Sequence, residues 1–187
     1  MKRVLLIIIL CLMLMGCSQK TDYVDNAMGL RSRLSNAQSC SFNARVTADY
    51  GDCVYTFRIQ CEHQNDGGMQ WEILEPDSIQ GIAGMVTEKD GKFVFDDGNA
   101  VIFPLLADGY ITPAAVPWIL TRTILGGYIQ KAGPDNEYIR TQIDDSFKGR
   151  QFTLDLWTDS SGDPVRGDIL WEGQRIMSIE ITDFVIS

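Results

Sequence analysis

The sequence is poor in the side chains that carry out chemistry. Histidine occurs once, as His63, so no histidine metal cluster can be built and any Ser-His-Asp arrangement would have to use that one ring. His63 stands two residues after Cys61 and beside the turn-forming run QNDGG, a setting suited to a solvated residue more than to a catalytic base. No Cys-x-x-Cys, no phosphate-binding Gly-x-x-x-x-Gly-Lys-Ser/Thr and no Gly-x-Ser-x-Gly occurs. The acids Asp96-Asp97, and Asp159 with Asp163, fall in glycine-containing stretches where aspartate is a favoured turn residue, so calcium is not expected there. Catalysis, a metal and a cofactor are accordingly not expected. Positive charge is also scarce, with 16 Lys and Arg against 25 Asp and Glu and a net charge of −9. That balance excludes nucleic acid as a partner, since such binding rests on a cationic surface. There is no internal repeat and no low-complexity tract.

A long apolar run is missing too. The longest, Val4 to Met15, has twelve residues; as a helix it would rise about 18 Å, against about 30 Å of bilayer hydrocarbon. Preceded by the basic Met1-Lys2-Arg3, it reads as the apolar part of a signal peptide over residues 1–16. The junction Leu14-Met15-Gly16-Cys17 resembles the lipobox of bacterial lipoprotein signal peptides, which implies acylation of Cys17 and cleavage before it. Two acyl chains on one residue suffice for a stable anchor where one does not. The expected address is the extracytoplasmic face of a bacterial cell membrane, reached through the lipid anchor. Without Lys2 and Arg3 the chain keeps 14 basic and 25 acidic residues, a formal charge of −11. Such a body is repelled by anionic headgroups, so the anchor must do the holding. Residues 17–21 then form the lipidated cysteine and a short tether, and 22–187 a single domain of ordinary size.

Apolar residues at Val24, Ala27, Met28, Leu34 and Ala37 predict a helix after Asp22, which can act as its N-cap. From Ser39 the pattern turns to strands. A two-residue hairpin with Tyr50-Gly51 at its tip pairs Cys40 with Cys61, Phe42 with Ile59, Ala44 with Phe57 and Val46 with Tyr55, one face wholly apolar and the other nearly all polar. That register sets Cys40 opposite Cys61, where export would allow a disulfide. The alternative is a set of small buried thiols, and spacing alone does not choose.

Further strands are expected at Met69 to Glu75, from Ser78 to Glu88, at Lys92 to Asp97 and from Ala100. Three more follow, within Arg150 to Asp159, Val165 to Glu172 and Arg175 to Ile186. Between the two runs, Thr112 to Gly127 reads as a nearly uncharged helix with Pro near its start and paired glycines at its end. The fold class is therefore mainly β (α+β), a curved antiparallel sheet with one helix at the N-terminus and a central helix available to cover the concave face. Large apolar residues concentrate on that face. They are Phe42, Val46, Phe57 and Ile59 in the first hairpin, then Trp71, Ile73, Phe93 and Phe95, the helix residues Trp118 and Leu120, and Trp157 beyond it. Either they fill an ordinary core or nine of them, all but Phe93 and Trp157, line a cavity for an acyl chain.

Pro76 with Gly81-Ile82, then Asp90-Gly91, Gly162-Asp163-Pro164-Val165, and Ile181 with Phe184 give a run of turn and strand signatures. In them the chain resembles the LolA/LolB-like lipoprotein superfamily, and within it the Firmicutes branch that includes the spore-germination lipoprotein GerS. The resemblance spans about residues 22–187 and implies an unclosed half-barrel, like that of outer-membrane lipoprotein carriers, with a helix over its mouth. It implies a non-enzymatic protein that binds a lipid, an acyl chain or a hydrophobic partner. It equally implies a structural or regulatory lipoprotein, partnering a cell-wall or spore-cortex enzyme in the cell envelope.

Overall fold

The computed structural model describes residues 19–64, 67–95, 98–107 and 110–187, with side chains from Tyr23 onward. Cys17, the expected lipidation site, and Asp96-Asp97 lie outside the described residues. Helix α1 (Gln19–Asn36) begins before the expected N-cap, so the stretch read as tether is helical from Gln19 and Asp22 is inside the helix. Its buried stripe is Ala27, Leu30 and Leu34, one side of a 3.6-residue period, whereas Met28 points outward.

Six strands follow in meander order: β1 (Ser39–Asp49), β2 (Val54–Gln64), β3 (Met69–Glu75), β4 (Ala83–Val86), β5 (Gly91–Val94) and β6 (Ala100–Phe103). A small hairpin, β7 (Leu106–Ala107) with β8 (Tyr110–Ile111), and a 3-10 turn (Pro113–Ala115) lead into helix α2 (Val116–Gly126). Five more strands complete the chain: β9 (Tyr128–Asp135), β10 (Tyr138–Phe147), β11 (Arg150–Thr158), β12 (Pro164–Trp171) and β13 (Gln174–Ile186). All but β7 and β8 join one antiparallel sheet in the order β6-β5-β4-β3-β2-β1-β13-β12-β11-β10-β9. The last strand thus pairs with the first at the centre of the sheet, and β6 and β9 stay as its two edges. The sheet is unclosed but strongly curled, since Lys148 beyond β10 donates to the Lys89 carbonyl between β4 and β5 at 3.2 Å.

The first hairpin departs from its expected register by two residues. Phe42 pairs with Cys61, Ala44 with Ile59, Val46 with Phe57 and Ala48 with Tyr55. The tip is Gly51-Asp52, closed by the Tyr50 amide donating to the Cys53 carbonyl at 3.1 Å. Gly51 has φ +84°, as the first central residue of a type II′ turn requires, and its amide donates to the Asp49 carboxylate at 2.9 Å. The expected tip would have put Tyr50 in that left-handed conformation, which a side chain disfavours. A shift of two preserves which side chains share a face, so the apolar face is unchanged. It does separate the cysteines: Cys40 lies opposite His63, and Cys40, Cys53 and Cys61 are all free thiols.

The hairpin of β9 and β10 has no counterpart in the expected elements, because Gln130, Lys131, Gly133 and Pro134 break any apolar alternation. Those residues suit an edge: a lysine, a proline and a register shift beside Ile143 all discourage further pairing. The opposite edge is different. In β6, Val101 and Ile102 are exposed and no residue is charged.

Helix α2 is the piece that covers the sheet. Pro117 falls in its first turn, where its missing N–H leaves nothing unpaired, and the residues before it form the 3-10 turn instead. Eight of its residues are buried, including Trp118, Ile119, Leu120 and Ile124. Its last carbonyls are capped from α1, Arg31 donating to the carbonyls of Ile124 and Gly127 at 2.7 Å each.

Candidate functional site

The concave face divides into a covered and an uncovered part. In the covered part Leu120 lies against Gly167 of β12, where an added Cβ would come within 2.5 Å of its methyl group. Trp118 stacks edge-on against Phe147 at 5.6 Å and donates its indole N–H to the Gly67 carbonyl at 2.9 Å. Phe42 and Val46 of β1 are likewise fully enclosed in this core. Four of the nine residues expected to line a cavity, namely Phe42, Val46, Trp118 and Leu120, are therefore packed core.

The other five stand together. Phe57, Ile59, Trp71, Ile73 and Phe95 wall an open pocket of about 410 Å³ on the inner side of β2 to β5. Tyr55, Ile79, Ile82 and Phe93 complete it, with Thr112, Pro113 and Ala114 at the approach to α2. No polar atom is exposed in its wall among the described residues. The Thr112 hydroxyl donates to the Pro104 carbonyl at 2.6 Å, which turns it to its own loop. Wider depressions elsewhere, beside Asp144-Asp145 and beside the end of α1, have polar groups in their walls.

Two glycines underlie the aromatic cluster that includes the Trp71 and Phe93 walls of this pocket. Trp71 lies flat over Gly84 across the β3–β4 pair, where a Cβ would meet the indole at 2.3 Å. Phe103 covers Gly91 in the same way across β5 and β6. Phe93 bridges the two rings, 5.5 Å from Trp71 and 4.5 Å from Phe103. Aromatics that lie down on glycine leave the space above them free. The sequence signal for this, glycine inside a strand pattern, marks a close approach of a neighbouring group; Gly91 reads in the sequence as a turn residue with Asp90, and Gly84 carries no other mark.

At one end of the pocket Tyr55 sits 6.4 Å from Tyr50. Tyr50 donates to the Ile111 carbonyl at 3.0 Å, and burial with the neighbouring Tyr55 pushes its phenol up to about 12. Burial also pushes the Cys40 thiol up to about 12 and the Cys61 thiol well above its ordinary range, so neither is a ready nucleophile. Trp157 is on the convex face, held between the guanidinium groups of Arg140 at 5.3 Å and Arg166 at 4.7 Å. Its indole donates to Asp135 at 2.8 Å, a structural arrangement. Asp159 accepts from the amides of Ser161 and Asp163, and Asp163 pairs with Arg33 at 2.7 Å, so these acids stabilise a turn. Among the described residues no group of three or more His, Cys, Asp or Glu is placed to hold a metal ion. No described helix is long and apolar enough to cross a membrane.

No protein-family model matches the chain, and no curated protein matches its sequence. Solved structures do resemble it. An uncharacterized conserved protein from Thermus thermophilus is 13% identical over 88% of this chain and 87% of its own, with a TM-score of 0.49. A LolA superfamily protein from Nitrosomonas europaea is 13% identical over 86% of this chain and 93% of its own, with a TM-score of 0.45. The lipoprotein LppX from Mycobacterium tuberculosis is 14% identical over 86% and 96%, with a TM-score of 0.35. These likenesses concern the course of the chain and carry nothing about function.

Proposed function

We propose that this protein is a non-enzymatic, lipid-anchored extracytoplasmic lipoprotein that holds an acyl chain in the pocket of β2 to β5. The observation that carries the reading is a pocket of about 410 Å³, within the usual size range for small-molecule sites, with an entirely apolar wall. Hydrocarbon suits a wall that exposes no polar atom, at about 0.8 kcal/mol per buried methylene, although the buried Trp71 indole N–H in that wall has no hydrogen-bond partner among the described residues. A role limited to partnering a cell-wall enzyme would call for no such opening, so the cavity favours a ligand. The anchor is Cys17. Cys17→Ser is expected to leave an unprocessed or mislocalised precursor, and a variant still processed and membrane-bound would remove the lipobox from the account.

The pocket is tested on protein purified without detergent, by native mass spectrometry and solvent extraction. Lipid should be retained by the wild-type chain and lost from Ala114→Phe, which puts a ring into the space beside the 3-10 turn. Equal lipid content in a folded Ala114→Phe protein would place the ligand elsewhere and sink the proposal.

A further inference from the structure

We infer that the pocket holds its acyl ligand in one orientation, methyl end against Ile59, Trp71 and Ile73 and polar head beside Tyr55. The Tyr55 hydroxyl then selects heads that accept a hydrogen bond. The inference rests on the acyl-binding reading above and adds to it a direction and a specificity-determining residue.

The direction comes from a gradient of enclosure along β2. Its inward residues Tyr55, Phe57 and Ile59 stand at every second position, spanning about 13 Å. Tyr55 is 53% exposed, Phe57 is half-buried and Ile59 is fully enclosed. The neighbouring segments repeat the gradient. Ile73, opposite Ile59 across the β2–β3 pair, is 6% exposed and Trp71 is 4% exposed. Ile79 of the β3–β4 loop and Phe95 just beyond β5 are 37% and 40% exposed. One end of the pocket is therefore blind and the other opens to water. A polar head pushed to the blind end would lose its hydration with nothing there to replace it, whereas a methyl end loses nothing. The Trp71 indole N–H does not alter this, since it is buried and presents no surface to the cavity.

The open end does offer a hydrogen-bonding group. The Thr112 hydroxyl is already turned to the Pro104 carbonyl. The Tyr55 hydroxyl makes no hydrogen bond with another described residue, and its ring stands edge-on to Tyr50 at 6.4 Å. A phenol placed there donates to an ester or carboxyl oxygen while the chain beyond it lies along Phe57 towards Ile59.

The experiment is solution NMR on the purified full-length chain, freed of lipid. The probe is methyl stearate carrying a nitroxide either beside its ester or near its methyl end, supplied from cyclodextrin. The methyl-end label should broaden the amide signals of Ile59 and Ile73 most, and the ester-end label those of Tyr55 and Ile79. In a second titration Tyr55→Phe, which keeps the ring, should weaken methyl dodecanoate about two- to tenfold, the worth of one net hydrogen bond. Dodecane, which has no head, should bind the variant and the wild type alike. Equal broadening at the two ends, or the reverse order, would overturn the orientation while leaving the acyl pocket standing. Methyl dodecanoate binding unchanged in Tyr55→Phe, or dodecane weakened to the same degree, would overturn the role of the hydroxyl. Broadening of no pocket residue by either probe would remove the acyl-pocket reading itself, and this inference with it.

Discussion

The two parts of the concave face solve the same problem with different materials. Both place glycine where something must come close. Over β12 the visitor is Leu120 from helix α2, a second layer that fills the space and leaves it dry. Over β4 and β5 the visitors are Trp71 and Phe103, rings of the sheet itself, which cover the glycines but bring no second layer. A face covered from outside becomes core, and a face that covers itself becomes a floor. The pocket exists because α2 stops short of β3 to β5 and, among the described residues leading into it, Thr112, Pro113 and Ala114 are the ones that reach over.

The largest effect should come from the covered part. Trp118→Ala removes a buried ring, its contact with Phe147 and a hydrogen bond to Gly67, and should cost about 3–5 kcal/mol in denaturant unfolding. Probe affinity of the folded fraction should be nearly unchanged. A large loss of affinity with little loss of stability would mean that α2 is a lid and the division drawn here is false.

Gly84→Ala should cost less, about 1–3 kcal/mol, because the new methyl meets both the Trp71 ring and the Lys92 carbonyl, at 2.7 Å. The ring has to lift into the pocket, so probe binding should fall along with stability. Retained binding would show that the floor can give way without filling the space above it.

Phe57→Ala, at a side chain only partly buried, should change stability by about 1 kcal/mol, roughly half the value of a fully buried ring. Its effect should appear mainly in acyl affinity, the reverse of the ordering at Trp118.

A separate effect is on alkaline stability. Cys40 titrates at about 12 in the fold against an ordinary 9.0, and Tyr50 at about 12 against 10.0. The unfolded chain ionises first, so their contribution is whole below pH 9 and is lost as pH rises towards 12. The unfolding midpoint should therefore decline gradually over that window, and Cys40→Ala should flatten the decline. A midpoint that rises above pH 9 would contradict the burial of these groups.

What could be read in the sequence follows the same boundary. Period-two alternation found the apolar face of β1 and β2, because any even shift leaves it intact. It misplaced the pairing by two, because register is settled at the turn, where the left-handed φ of Gly51 outranked a symmetrical apolar match. The low charge of the α2 segment marked it as a covering helix, and hydrophobicity listed Trp118 and Trp71 together. Only tertiary placement separates them, since one is met by a helix and the other by a glycine on the neighbouring strand. The β9–β10 hairpin escaped notice for a related reason: an edge strand that must resist pairing is built from the residues that obscure a strand signal.

The bare β6 edge has a consequence for how many copies can share a volume. Among the described residues, Val101 and Ile102 present a short unpaired ladder with no lysine or proline inside β6 to deter a neighbour, unlike Lys131 and Pro134 inside β9. What keeps molecules apart is long-range repulsion between bodies carrying 25 acids, and salt shortens its reach to about 8 Å at physiological strength. The protein should accordingly be salted out early, growing less soluble with each increment of ionic strength. Replacing Ile102 with lysine should restore its solubility at high salt.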